Sequence, residues 1–304
     1  MNFAEESAIP GAADPLLKKA LNIGLFTPGK PTRAELRAAL GLEMVDEPVP
    51  EGVYLVHSEA ALGGIYVQGD MDEIILAIEA GFQVISFRRG IDTWLLKFSP
   101  AQSQTFFVSP LESLTFNRVP LGIIMVNGRI HSLGGGIINA AGEAELKLDE
   151  AIPCILRGVS LTIVSSDEVK LSSHLIHECV KWLDGIPYLK DSTSQLMIYA
   201  NGRDFMDETE KAGKILINPN APAELKLQAT LTAKNSIEIG GTQKTIALAG
   251  GLQAGNVSIN GNTFMILPDE RMLSTDIIPV NSPSTTSPLL VILSFRPLQW
   301  NELP

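Results

Sequence analysis

One short pattern recurs along this chain and constrains its fold more than any other feature: a few apolar or small residues run into a polar or glycine turn. The clear copies are Ile65-Tyr66-Val67-Gln68-Gly69-Asp70, Ile124-Met125-Val126-Asn127-Gly128-Arg129 and Ile198-Tyr199-Ala200-Asn201-Gly202-Arg203. Weaker relatives are Ile163-Val164-Ser165-Ser166-Asp167, Leu231-Thr232-Ala233-Lys234-Asn235 and Leu252-Gln253-Ala254-Gly255-Asn256. Aligned on their first residues they are spaced by 59, 39, 35, 33 and 21 positions. The later gaps approach the length of one solenoid coil with excursions. A single coil cannot bury its apolar face, so stacking has to supply a continuous core. The competing reading is a set of unrelated hairpins, because Asn-Gly between apolar runs is the strongest short hairpin signal. Short strands rich in Ile, Val and Leu, and the segments 215–217, 225–227, 236–239 and 256–259, favour a parallel β-solenoid. Gly69, Gly128 and Gly202 are then corner residues at which positive φ is expected.

The large first gap holds an insertion. Ile74-Ile75-Leu76-Ala77-Ile78, Phe82-Gln83-Val84-Ile85-Ser86-Phe87 and Trp94-Leu95-Leu96-Lys97-Phe98 are separated by Ala80-Gly81 and Arg89-Gly90-Ile91-Asp92, as in an antiparallel meander. Ahead of it, Asp14 and Pro15 mark one helix start, and Thr32 with Glu35 has capping-box spacing before Leu36, Ala39, Leu40 and a stop at Gly41. This helix-turn-helix unit has no basic face and reads as a packing cap rather than a DNA reader. Ser172 to Leu183 resists the pattern: Leu175, Ile176, Cys179, Val180 and Leu183 fall at helical spacing, whereas a solenoid prefers strand and turn. The choice stays open on sequence.

The expected architecture is therefore mainly β: a parallel β-solenoid, β-helix-like, with an inserted antiparallel meander and a small N-terminal helical unit. Its parts are residues 1–48 (helical unit), 49–120 (first strand and meander), 121–273 (solenoid) and 274–304. The last part is the polar linker Ser282-Pro283-Ser284-Thr285-Thr286-Ser287-Pro288, followed by the apolar Leu289-Leu290-Val291-Ile292-Leu293-Ser294-Phe295, read as a C-terminal strand or cap. The helical unit is expected to cover the other end.

A net charge of −11 argues against contact with phosphate backbones, so no nucleic-acid partner is expected. The N-terminus lacks the basic start and apolar run of a signal peptide, and no run approaches the ~20 residues needed to span a bilayer; no membrane span is expected in the chain as written. Cys154 and Cys179 are too few for a disulfide framework, and whether they pair is open.

Motifs for chemistry are sparse. His174 and His177 with Cys179 form the one cluster of metal-type donors. Zinc needs a further ligand, and beyond them only His57 and His131 remain, so the cluster reads as a surface histidine pair beside a buried Cys179. Asp204, Asp207, Glu208 and Glu210 could line a groove, since paired carboxylates cleave glycosides, but a solvated turn is the simpler reading. Gly134-Gly135-Gly136 and Gly240-Gly241 lack the Lys-Ser/Thr of a phosphate loop and read as corners or hairpin turns. Ser192, Thr193 and Ser194 lack a nucleophile elbow. No catalytic, cofactor-binding or metal-binding residues and no cofactors are assigned.

The stretches Gly63 to Asp70, Gly122 to Gly136, Asp191 to Phe205 and Gly250 to Leu273 resemble bacterial PilX-type pilus-assembly or pilin-associated surface proteins, which have a β-rich repetitive ectodomain behind an N-terminal membrane segment. That apolar segment is lacking here. The resemblance implies a non-enzymatic, extracytoplasmic structural role, with other pilus or cell-envelope proteins or a second copy of the chain as partners. It places the protein in the cell envelope or outside the cell if an upstream anchor is missing. A carbohydrate-binding or polysaccharide-cleaving β-helix protein is the alternative, and a polymerising cytoplasmic scaffold is the third reading.

Overall fold

The computed structural model describes residues 13–23, 30–59, 61–183, 186–188, 192–267 and 269. The linker and apolar strand expected at 282–295 lie outside them. Two short helices come first. α1 (Ala13–Ala20) carries Asp14 in its first turn, and α2 (Arg33–Ala39) opens on a complete capping box. Thr32 Oγ1 accepts from Glu35 N–H at 3.2 Å, and the Glu35 carboxylate accepts from Thr32 N–H at 2.7 Å. α2 ends at Leu40, where Gly41 takes φ 74°.

The rest is strand. β1 (Gly52–His57) pairs antiparallel with β2 (Leu62–Gln68). β3 (Glu73–Glu79), β4 (Phe82–Arg89), β5 (Asp92–Ser99), β6 (Gln104–Val108) and β7 (Ser113–Phe116) form the antiparallel meander. β8 (Ile123–Asn127) leads to β9 (Ile130–Ile138), on which β10 (Ala144–Leu146) folds back. Then come β11 (Pro153–Ile155), β12 (Ser160–Ser165), β13 (Val169–Leu171), β14 (Ile176–His177) and the hairpin of β15 (Lys181–Leu183) and β16 (Ile186–Tyr188). The last strands are β17 (Gln195–Ala200), β18 (Lys214–Ile217), β19 (Glu224–Gln228), β20 (Thr230–Ile239), β21 (Thr245–Ala249), β22 (Leu252–Ser258) and β23 (Thr263–Leu267). The protein is mainly β, built on a large mixed sheet whose pairings are mostly parallel.

Three parallel ladders organise it. In the first, β2, β8, β12, β17, β20 and β22 pair in sequence order, and Ile65, Ile124, Ile163, Ile198, Leu231 and Leu252 are successive register partners. The second joins β3, β9, β13, β18 and the distal half of β20, aligning Ile215 with Val169 and with Ile237. The third stacks β19, β21 and β23, aligning Leu227, Leu248 and Ile266. β20 thus passes from the first ladder to the second within one strand, pairing with β17 and then with β18, and its register against β22 shifts between Ala233 and Ser236. Inward side chains from all three ladders, including Ile124, Ile163, Ile215, Ile237, Leu227 and Leu248, share one core. Burial of each such side chain contributes about 1.5–3 kcal/mol.

The helical unit does not cover a ladder end. Leu17, Ala20, Leu21 and Leu36 pack on the outer face of the first ladder, against Tyr66, Met125 and Val164, which alternate with the core residues. Gly63 and Gly64 permit this closeness, since a Cβ at Gly63 would lie 2.4 Å from the Ala20 carbonyl oxygen. Gly69 and Gly202 have the expected positive φ, 95° and 72°. Gly128 does not; it is required because a Cβ there would lie 2.4 Å from the Gly69 backbone one strand away. Gly134, Gly135 and Gly136 are not corners either: they lie inside β9, where a Cβ on Gly135 would meet the His174 carbonyl at 2.6 Å and Cys154 Sγ at 3.0 Å. Of the second glycine pair, Gly241 turns at φ 81°.

Ser172 to Leu183 is extended, not helical. Leu175 bridges to Leu227 and β14 pairs with β11, so backbone pairing across the core overrides the local helical period. Cys179, at φ 65°, then turns the chain outward.

Candidate functional site

Residues on the outer face of the first ladder meet two environments. Toward the strand ends, Val164 and Tyr199 lie with Phe205 and the helices. Toward the strand starts, Ser160 and Thr162 of β12, Gln195 and Met197 of β17 and Thr230 of β20 line a groove of about 190 Å³. Register sets the spacing: Ser160 pairs with Gln195, and Met197 stands between Thr162 and Thr230, on neighbouring strands about 4.8 Å apart. At the corner where β19 turns into β20, Gln228 and Ala229 form the inner wall, joined by Ala249, Gly250, His177 and Asp269. A side chain at Gly250 would collide with the Ala229 carbonyl at 2.1 Å, so only glycine allows the two corners to stack.

The wall is held by hydrogen bonds. Gln228 Oε1 accepts from the His177 backbone N–H at 2.5 Å, and Ser192 Oγ lies 3.4 Å from His177 Nδ1. Ser194 Oγ donates to the Leu156 carbonyl at 2.8 Å and accepts from Gly158 N–H at 3.1 Å, which ties the approach to β17 to the turn before β12. Gln228 Nε2 is buried and has no hydrogen-bond partner among the described residues.

His174 and His177 are buried, at 5% and 2% exposure, and Cys179 is exposed, the reverse of the surface pair with a buried thiol read from sequence. In an extended segment the two rings serve different neighbours: His174 Nδ1 accepts from the Lys226 N–H at 3.1 Å, while His177 faces Ser192. Burial, with the nearby Lys226 ammonium, holds His174 below the usual histidine range. Cys154 is the buried cysteine; both are free thiols, and burial pushes Cys154 up to about 12. No group of three or more His, Cys, Asp or Glu side chains is placed to hold a metal among the described residues.

The acidic residues after the third repeat do not face the groove. Asp204 accepts from the N–H groups of Met206 and Asp207, Asp207 accepts from Thr209, and Glu208 reaches Lys30 at 3.1 Å. Asp204 and Asp207 bind their own turn, and Glu208 ties it to the segment ahead of α2. His131 lies 3.8 Å from Asp70. His57 packs against Phe116 in a tilted pair, centroids 5.3 Å apart, beside an open cleft with Arg118, whose guanidinium donates to the Glu59 carbonyl. The groove residues Gln195 and Gln228 had no signature in the sequence. Gln228 acquires its partner, His177, from 51 positions away.

Among the described residues no helix is long and apolar enough to cross a membrane. Comparison with protein-family models, curated proteins and solved structures finds no match.

Proposed function

We propose that the three ladders are the three faces of a parallel β-solenoid, and that the chain is a non-enzymatic structural protein of the cell envelope associated with pilus assembly. The observation that supports this is the unbroken register from Ile65 to Leu252: six strands, separated by very unequal lengths of chain, stack the same apolar position. Such a body resists deformation along the stack, because each rung is held by backbone pairing above and below and by a shared core. The helices on the outer face of the first ladder and the meander give the stack two distinct flanks on which envelope partners can act.

The test is genetic and microscopic. Deleting the gene in the native cell is expected to reduce the number or length of surface pili counted in negative-stain electron micrographs, and expression of the intact chain restores them. Unchanged pili in the deletion strain, or recovery of the protein only from the cytoplasmic fraction, overturns the reading.

A further inference from the structure

We propose that the groove between the first and third ladders binds an N-acetylated amino sugar within a neutral glycan, and that Gln228 reads the acetamido carbonyl. The site is independent of the structural role above and does not rest on it.

The argument starts from one side chain. Gln228 is 1% exposed and lines the groove. Its orientation is fixed, because Oε1 accepts from the His177 N–H; exchanging the amide atoms would set two donors against each other. Nε2 is therefore the group without a hydrogen-bond partner among the described residues, a buried donor of the kind native structures almost always satisfy. What the site asks of a ligand is an acceptor oxygen.

The surroundings narrow the choice. Among the described residues no lysine or arginine lines the groove, whereas the carboxylate-bearing Asp269 does, which disfavours a phosphate, a uronate or another anion. Beside Gln228 the lining includes the small residues Ala229 and Ala249, which leave room for a methyl group. The rim offers the hydroxyl of Thr162, the amide of Gln195 and the hydroxyl of Thr230. An acetamido group joins the two inner requirements in one unit, a carbonyl for Nε2 and a methyl for the alanines, and the ring hydroxyls of the same sugar meet the rim. A groove of about 190 Å³ is below the ~300 Å³ of pockets that enclose a whole ligand, so one sugar seats while the glycan continues across the open strands.

The experiment titrates the full chain with a β-1,4-linked hexamer of N-acetylglucosamine by isothermal calorimetry. A glucose hexamer of the same linkage serves as the neutral control. Binding of the acetylated hexamer at least tenfold tighter than the glucose hexamer is expected. Gln228→Glu keeps the acceptor for His177 and removes the donor, and should weaken binding at least tenfold. Met197→Lys, at a half-exposed rim position where a polar side chain can reach solvent, should obstruct the groove and weaken binding likewise even where Gln228→Glu fails to fold. The proposal is overturned by absence of heat with the acetylated hexamer at millimolar concentration, by equal affinity for the two hexamers, or by full affinity in either folded variant.

Discussion

Gln83 shows how much one polar side chain can hold together. Fully buried in β4, it donates through Nε2 to the carbonyls of Ala77, Val84 and Cys154 and accepts through Oε1 from the Leu156 N–H, joining the meander to a segment more than 70 positions later. Gln83→Leu keeps the volume but strands the Leu156 donor and the Cys154 acceptor. Buried groups left unsatisfied cost about 1–3 kcal/mol each, so a loss of about 3 kcal/mol in urea unfolding is the expected result. His174 gives a residue-scale pH effect. Its pKa is lowered in the folded protein, so as pH falls below the unfolded value, near 6.5, the unfolded chain takes up the proton first and stability drops. The contribution is complete above that value and is lost on acidification toward the depressed folded pKa. Between pH 7 and 5 the urea midpoint should fall, and the fall should be smaller in His174→Gln.

Among the elements, β9 is the most tightly constrained. Its three glycines are crowded on both faces, Gly134 by Leu146 and Ser173, Gly136 by the Glu145 carbonyl and Ile75. Gly135→Ala must push a methyl into the His174 carbonyl, and overpacking of this kind costs about 1–3 kcal/mol, readable as a lower denaturant midpoint. The contrast with the repeats explains what a sequence can disclose. The rungs were legible because each begins with Ile or Leu and period 2 places that residue on the same face every time. The glycine run was not, because a flat strand interior and a tight turn both favour glycine, and only the neighbours in space distinguish them. The choice between helix and strand at 172–183 stayed open for a related reason: pairing of β14 with β11, and of Leu175 with Leu227, is long-range and invisible in a local window. Gln228 was equally hidden, since a glutamine gains its meaning from the backbone N–H that orients it.

At the scale of the whole molecule, the two thiols report separately on the surface and the core. Cys179 is exposed on a turn, whereas Cys154 lies beneath Gly135 with its thiolate strongly disfavoured. A thiol-specific chromogenic reagent at pH 8 should titrate one equivalent quickly in the native protein. The second should react only as fast as the core opens, and the two should become equal in strong denaturant. Rapid reaction of both under native conditions would show that the β9 and β11 region opens on its own.

The unequal spacing of the rungs has an evolutionary consequence. Between Ile65 and Ile124 the chain makes a five-stranded meander, while from Leu231 to Leu252 it needs only 21 residues to reach the next strand of the ladder, and both return to the same register. Length added between rungs is therefore absorbed as an appendage, at a loop-closure cost that rises only slowly with its size, and the stacking position is unaffected. Lineages built on such a scaffold can acquire new appendages one excursion at a time, and a foreign hairpin grafted into the turn at 139–143, which joins β9 to β10, should be carried in the same way.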